Sequence, residues 1–216
     1  MTKIKGVLFD LDGVLIDSET QYTAFWSDIE KVYPTGIPDY PMAIKGTTLS
    51  KILENYPDDG TRQDIIDRIH RFEDIIRYHE YPGVSSFLSD LKSHGIATAI
   101  VTSSDSVKMG YLFEQLPGLR QWFDTIVDGS MVTHSKPDPE PYAKGAEMLG
   151  LRPEECVVFE DSFQGIASGI AAGCHVIGVT TTFSPDKMKS HVPVIIGGFE
   201  DMTYDKMIGL IDSNKP

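Results

Sequence analysis

The fold of this chain is decided by the stretch Val7-Leu8-Phe9-Asp10-Leu11-Asp12-Gly13-Val14-Leu15. The apolar run from Ile4 to Phe9 predicts a buried central strand of a parallel sheet. That strand ends in two aspartates two residues apart, so both carboxylates lie on one side of an extended backbone, and Gly13 then permits a sharp turn. Buried carboxylates are costly without a cation, which indicates a metal site. A helix cap or a solvated strand end would explain this motif alone equally well.

Composition restricts the classes of partner. The 216 residues carry a formal net charge of -13, which argues against nucleic acid or an anionic membrane surface as a partner. A small phosphorylated substrate remains compatible, because a local cation can override the overall field. No apolar run reaches the length of a membrane span or forms a signal-peptide core, and Cys156 and Cys174 are expected to be reduced. We therefore expect a cytoplasmic enzyme or binding protein, with its oligomeric state left open.

Strand and helix patterns alternate from residue 82 onwards. Strands are predicted at 97–102, 125–127, 156–159, 175–179 and 194–196. Helices are predicted at 84–94, 106–115, 139–149, 163–172 and 204–211. This alternation, with a first strand supplied by the opening stretch, predicts a doubly wound parallel α/β sheet.

Residues 15–81 do not alternate in this way. Helices are predicted at 18–33, 49–56 and 61–79, with a break rich in proline and glycine after the first, and no strand pattern is present. We interpret this segment as a small all-helical cap inserted after the first strand. The predicted domains are therefore an α/β core at 1–14 and 82–216 and a helical cap at 15–81.

Polar side chains are expected to converge at one edge of the sheet, because ligands of open α/β sheets bind beyond the carboxyl ends of the strands. They are Asp10 and Asp12, Thr102-Ser103-Ser104, Lys136 in a loop before a helix, and Glu160-Asp161. Taken singly, Thr102 could satisfy a strand end, Lys136 could lie in a solvated loop, and Glu160-Asp161-Ser162 could cap the next helix. Taken together, these groups suit a hard divalent cation beside a phosphoryl group.

The residue types also indicate a reaction. A carboxylate such as that of Asp10 can attack phosphorus once the phosphoryl charge is neutralised. The expected Mg²⁺ ligands are Asp10, Asp161 and Glu160, and the expected phosphoryl donors are Lys136 and Thr102. Asp12 lies beside other carboxylates, so its pKa is expected to be raised, which suits an acid that protonates the leaving oxygen and later deprotonates water.

Four motifs together resemble those of the haloacid dehalogenase superfamily of phosphotransferases. They are Phe9-Asp10-Leu11-Asp12-Gly13-Val14-Leu15-Ile16-Asp17-Ser18, Val101-Thr102-Ser103-Ser104, Lys136-Pro137-Asp138-Pro139 and Phe159-Glu160-Asp161-Ser162-Phe163-Gln164-Gly165-Ile166. The resemblance covers the whole predicted core and implies that Asp10 is a nucleophile forming an aspartyl-phosphate and that Asp12 is the general acid and base. It also implies that Thr102 and Lys136 bind the phosphoryl group, with Ser103 as a further substrate contact. The implied Mg²⁺ ligands are Asp10, Asp161, the Asp12 carbonyl and Glu160.

The position of the cap is similar to that in the β-phosphoglucomutase and phosphoglycolate phosphatase group. Residues 44–48 resemble its substrate-specificity loop, which implies that Lys45-Gly46-Thr47 contacts the substrate; a capping turn for the next helix is the alternative. The mutase's hinge-proximal histidine aligns with Tyr22, and the arginine of its loop aligns with Leu49. These two differences favour hydrolysis over return of the phosphoryl group to a sugar.

We therefore expect a Mg²⁺-dependent phosphatase of a small phosphorylated metabolite such as a sugar phosphate. The alternatives are a β-phosphoglucomutase-type mutase, a pyrophosphatase and, in a different class, a phospho-accepting receiver-type signalling module. A receiver would carry its acceptor at the end of the third strand, where Asp128 lies. Six basic cap residues are candidates for selectivity, although most are expected on a solvated helix face: Arg62, Arg68, His70, Arg71, Arg77 and His79.

Overall fold

The computed structural model of the chain describes residues 3–213. Its strands are β1 (Gly6–Phe9), β2 (Ala97–Val101), β3 (Thr125–Val127), β4 (Cys156–Glu160), β5 (His175–Val179) and β6 (Ile195–Ile196). They form one parallel sheet in the order β3-β2-β1-β4-β5-β6. β1 is therefore central, as its apolar sequence predicted, and the strand order reverses beside it. Such a reversal point is where doubly wound sheets bind their ligands.

Helices surround this sheet and form the cap. Before β2 they are α1 (Glu19–Val32), α2 (Tyr40–Ala43), α3 (Leu49–Leu53), α4 (Asp59–Ile75) and α5 (Val84–Ser93). After β2 they are α6 (Ser106–Gln115), α7 (Glu140–Met148), α8 (Phe163–Ala172), α9 (Pro185–Lys189) and α10 (Tyr204–Asp212). No helix in residues 3–213 is both long enough and apolar enough to span a membrane. The Cys156 and Cys174 thiols are free.

β1 is buried because helices cover both faces of the sheet. Val7 and Phe9 pack into one hydrophobic cluster with side chains of α5, α6 and α10, whereas Leu8 packs into a second cluster with side chains of α7. The Phe9 ring stacks on the Phe159 ring of β4, with 5.3 Å between centroids. This alternation across the strand fixes the register of β1 and hence the position of the residue that follows it.

The helices α1 to α4 have a hydrophobic cluster of their own, which extends from Trp26 to Ile69. The two connecting segments belong instead to the cluster of the core, to which Leu15, Ile16, Ile76 and Tyr78 contribute. An antiparallel bridge between Ile16 and Glu80 joins these segments. The division into a core and a cap at 15–81 stays our proposal.

Three features of the cap and core differ from the sequence prediction. α4 begins at Asp59, because the Asp58 side chain accepts the Thr61 N–H at 2.7 Å, and it ends at Ile75 because Ile76 is extended. α3 ends at Leu53, three residues earlier than predicted. α2 lies in the stretch that was predicted to be a break, and α9 lies in a segment for which no element was predicted; each has a proline in its first turn, where proline favours a helix.

Candidate active site

Asp10 is the first residue beyond β1. Its N–H donates to the Phe159 carbonyl at 3.0 Å, so β4 fixes its backbone. The side chain is buried; Oδ1 accepts a hydrogen bond from Lys136 at 2.6 Å, whereas Oδ2 accepts none from residues 3–213. Burial raises the pKa of Asp10 to about 7, and Lys136 limits the rise. One carboxylate oxygen is thus unoccupied and able to react.

Lys136 links the strand ends through its ammonium group and is only 1% exposed. Its Nζ donates to Asp10 Oδ1 at 2.6 Å, to Glu160 Oε1 at 2.6 Å and to the Val101 carbonyl at 3.2 Å. Burial opposes the positive charge, but the two carboxylates outweigh it, so the pKa of Lys136 lies above its ordinary value. The solvated-loop alternative for this lysine is therefore wrong.

Glu160 is fully buried and orients Lys136. Its Oε1 also accepts from the Tyr142 hydroxyl at 2.9 Å, and its Oε2 accepts from the N–H and hydroxyl of Ser162 at 2.9 and 3.0 Å. The Ser162 hydroxyl in turn caps α8, so the helix-cap alternative is correct for Ser162. A metal-ligand role for Glu160 stays a prediction.

Asp161 adds a third carboxylate. Carboxylate oxygens of Asp10, Glu160 and Asp161 lie within 4.8 Å of one another. Asp161 is 2% exposed and, in the described part of the chain, accepts a hydrogen bond from the Thr182 hydroxyl but has no ion-pair partner. Burial, and then the two neighbouring carboxylates, raise the pKa of Asp161 well above its ordinary range. The cluster therefore fits a divalent cation, and an all-oxygen ligand set of this kind suits Mg²⁺.

Asp12 faces different groups from Asp10. Its carboxylate accepts from Lys108 Nζ at 2.6 Å, from the Ser104 hydroxyl at 2.9 Å and from the Ser18 hydroxyl. Burial raises the pKa of Asp12, but Lys108 and these donors outweigh it, so the pKa lies below its ordinary value. The predicted upward shift is wrong, because Lys108 neutralises Asp12 and went unnoticed in the sequence. The available signal was its place in the first turn of α6, just beyond the β2 strand end.

Thr102 and Ser103 follow β2 and line the same space as Asp10. Thr102 Oγ1 accepts from the Ser104 N–H at 3.1 Å, so the strand-end alternative is correct for its oxygen. The Thr102 hydroxyl donates to no group in residues 3–213, which leaves its proton for a ligand oxygen. The Ser103 hydroxyl donates to the Gly46 carbonyl of the cap at 2.8 Å and so connects cap and core.

The cap loop at residues 44–48 faces the site. Its members Lys45, Gly46 and Thr47 line the cavity between cap and core. Lys45 is buried in an ion pair with Glu19, and burial lowers the pKa of Lys45 to about 8. Thr48 also caps α3 with its hydroxyl. The loop therefore both faces the site and caps a helix, whereas substrate contact by its residues stays a prediction.

A cavity of about 110 Å³ lies between the cap and the core. Its cap side includes Tyr22, Trp26, Ile69 and Glu73, which sequence reasoning did not assign to the site. The available signal was their spacing of four, which places each pair on one helix face. None of the six arginines and histidines considered for selectivity lines this cavity.

Comparison with known proteins agrees with this geometry. The sequence model of the haloacid dehalogenase-like hydrolases matches residues 4–173. Hexitol phosphatase A of Escherichia coli (strain K12) is 33% identical over 209 residues, which cover 94% of this chain and 95% of the relative. Pyrophosphatase PpaX of Bacillus cereus (strain AH820) is 29% identical over 215 residues, which cover 89% of this chain and 97% of the relative.

A solved structure shows the same fold. The β-phosphoglucomutase of Clostridium difficile is 20% identical and superposes with a TM-score of 0.79 over 97% of this chain and 98% of that chain. The family match covers β1 to α8 and so includes all four strand-end motifs. The chain belongs to the haloacid dehalogenase-like hydrolases.

Proposed function

We propose that the protein is a Mg²⁺-dependent phosphatase that hydrolyses a small phosphorylated metabolite through an aspartyl-phosphate on Asp10. Membership of the hydrolase family and a phosphatase relative support the reaction class. The observation that carries the proposal is the pairing of Asp10 with Lys136 at 2.6 Å, with Oδ2 of Asp10 left unoccupied beside a cavity under the cap. A cytoplasmic location stays a prediction.

The first step transfers the phosphoryl group to the enzyme. Asp10 Oδ2 forms a bond to phosphorus while the bond from phosphorus to the leaving oxygen breaks. Lys136 holds Oδ1 and so fixes the direction of attack, and the Thr102 hydroxyl donates to a phosphoryl oxygen. Asp12 gives its proton to the leaving oxygen, so the product departs as an alcohol.

Asp12 first needs to acquire that proton, since Lys108 keeps it ionised in the free protein. A phosphate dianion bound beside Asp12 opposes the field of Lys108 and raises the pKa of Asp12. In the second step Asp12, now a carboxylate, takes a proton from water as the water oxygen attacks phosphorus and releases Asp10. The same side chain thus acts as acid and then as base.

The proposed Mg²⁺ ligands are Asp10, Asp161 and the Asp12 carbonyl, with Glu160 as a further candidate. When bound, the cation supplies positive charge that offsets the phosphoryl oxygens and the three clustered carboxylates. The buried Asp161, which lacks an ion-pair partner in residues 3–213, is the observation that supports this assignment.

The alternatives fit the structure less well. At the two positions where the mutase has a histidine and an arginine, Tyr22 and Leu49 line the cavity. Asp128, the acceptor expected of a receiver module, instead accepts hydrogen bonds from the N–H and hydroxyl of Ser130. Asp10, directly after the central strand, is paired with Lys136 and has a free carboxylate oxygen, and this arrangement favours an enzyme with Asp10 as nucleophile.

Phosphate release from a panel of phosphate esters tests the proposal. We expect release in the presence of Mg²⁺ and a fall of at least about 100-fold after chelation, restored by added Mg²⁺, because the cation contributes several kcal/mol to the transition state. Undiminished release after exhaustive chelation would remove the metal from the proposal. Conversion of β-glucose 1-phosphate with a bisphosphate activator, faster than its hydrolysis, would instead identify a mutase.

Gly165 provides a second test, because it leaves room for Glu160. A Cβ at Gly165 would overlap both carboxylate oxygens of Glu160. We expect Gly165→Ala to displace Glu160, loosen Lys136 and lower kcat by about 100-fold, since misplacement by about 1 Å has effects of this size. Gly110→Ala in α6 is the matched control, because a Cβ there meets no atom within 4 Å. Equal kcat values for Gly165→Ala and Gly110→Ala would show that phosphate release does not depend on the position of Glu160.

A further inference from the structure

Glu73 is a buried carboxylate that the proposed mechanism does not use. It lies on α4, is 4% exposed and lines the cavity between cap and core. Its Oε1 accepts from the Tyr22 hydroxyl at 3.0 Å, whereas its Oε2 accepts no hydrogen bond from residues 3–213. Oε2 is not one of the enclosed polar atoms, so it is open to the cavity and free to accept a hydrogen bond from a donor on the bound ligand.

The charges around Glu73 restrict what that ligand can be. The two lysines that line the cavity are already paired, Lys45 with Glu19 and Lys108 with Asp12. Lys108 attracts Glu73 from a distance, yet burial dominates and raises the pKa of Glu73 to about 7. Neither lysine forms an ion pair with Glu73 in the described residues, so the Glu73 carboxylate faces the cavity as a hydrogen-bond acceptor that is not paired with a cation.

The other walls of the cap side are largely apolar. Trp26, Ile44, Leu49, Ile52 and Ile69 line it, and no arginine of the described part of the chain does. A second phosphoryl group would place its negative charge against Glu73, and among residues 3–213 the cavity lining offers no unpaired cation to offset it. An ammonium group could also donate to Glu73, and for this reason the substrates compared below include an amine. An uncharged hydroxyl can donate to Glu73 while its carbon skeleton packs on the apolar walls.

We propose that Glu73 is a specificity-determining residue that accepts a hydroxyl of the leaving group, so that the preferred substrates are monophosphates of small polyols or sugars. This inference rests on the proposed phosphatase function and narrows it. Pyrophosphate and sugar bisphosphates are poor substrates by the same reasoning. The cavity of about 110 Å³ also limits the size of the leaving group.

The experiment measures kcat/KM with Mg²⁺ for glycerol 1-phosphate, propyl phosphate, aminopropyl phosphate and pyrophosphate. For the wild-type enzyme we expect kcat/KM for glycerol 1-phosphate to exceed that for propyl phosphate by at least about 10-fold and that for pyrophosphate by about 100-fold. A site that hydrogen-bonds a substrate hydroxyl discriminates strongly against substrates that lack it. Glu73→Gln and Glu73→Leu are expected to lower the ratio of glycerol 1-phosphate to propyl phosphate by about 10-fold or more. Asp74→Asn on the exposed side of α4 is the matched control and leaves the ratio unchanged.

The ratio of two substrates on one enzyme is independent of the folded fraction, so a destabilised variant still gives an answer. An unchanged ratio in both Glu73 variants, or a wild-type preference for pyrophosphate or the amine, would overturn the role of Glu73 while leaving the phosphatase in place. Absence of phosphate release from every ester would overturn the proposed function itself, and this inference with it.

Discussion

Replacement of Asp10 by asparagine is expected to lower the rate of phosphate release by at least about 10³-fold, because an amide oxygen is a poor nucleophile toward phosphorus. The fold should persist, since asparagine keeps the shape of the side chain and Lys136 retains its ion pair with Glu160 at 2.6 Å. Loss of the Asp10 charge also removes one of three carboxylates whose oxygens lie within 4.8 Å of one another, which lessens their mutual repulsion. The measurement is the steady-state rate of phosphate release with saturating Mg²⁺ and substrate, together with the thermal unfolding midpoint.

Asp128→Asn is the matched control and also tests the signalling alternative. Asp128 directly follows β3, and asparagine can still accept the hydrogen bonds that Ser130 donates. We expect Asp128→Asn to keep the wild-type rate within about twofold, as substitutions outside a site have small effects. A rate for Asp10→Asn within tenfold of wild type would exclude the covalent mechanism on Asp10. Loss of phosphorylation in Asp128→Asn alone would favour a receiver-type module.

The site residues that belong to the α/β core could be predicted from the sequence, because they lie directly after strands or in the loops that follow them. Parallel strands deliver their carboxyl ends to one edge, so Asp10, Thr102 and Asp161 were brought together by topology alone. Gly13 follows the same logic: its φ of 80° is left-handed, and a Cβ there would overlap the Asp161 carboxylate. The local motifs were therefore sufficient to predict which core residues meet at the site.

The cap half could not be predicted in the same way. Tyr22 and Glu73 lie within α1 and α4, and although the spacing of four places each on one helix face with a neighbour, it does not show which face is turned towards the site. Lys108 is a similar case, since its contact with Asp12 joins residues far apart in the chain. Because that contact was missed, the pKa of Asp12 was predicted in the wrong direction. Contacts between charged groups that only the tertiary structure brings together could not be predicted from the sequence.

The Lys136→Met variant is expected to have a lower free energy of unfolding than the wild type and to lose phosphatase activity. The substitution keeps a long apolar side chain but leaves Asp10 and Glu160 buried without their cation. Loss of one partner from a buried ion pair costs about 3–5 kcal/mol in the free energy of unfolding. For a chain of this length that corresponds to a fall of about 6–20 °C in the unfolding midpoint, measured in the presence of a chelator. Lys51→Met, which breaks an exposed pair with Glu54, is the control and should cost less than about 1 kcal/mol.

Added Mg²⁺ separates the electrostatic explanation from simple loss of packing. If the proposed cation binds among Asp10, Glu160 and Asp161, it supplies positive charge to the same carboxylates that Lys136 neutralises. We therefore expect Mg²⁺ to raise the unfolding midpoint of Lys136→Met by more than that of the wild type, without restoring phosphate release, because the contact that orients Asp10 is gone. A midpoint deficit that Mg²⁺ leaves unchanged would mean that Lys136 stabilises the fold through packing alone. In that case the charge balance on which the proposed site depends would be wrong.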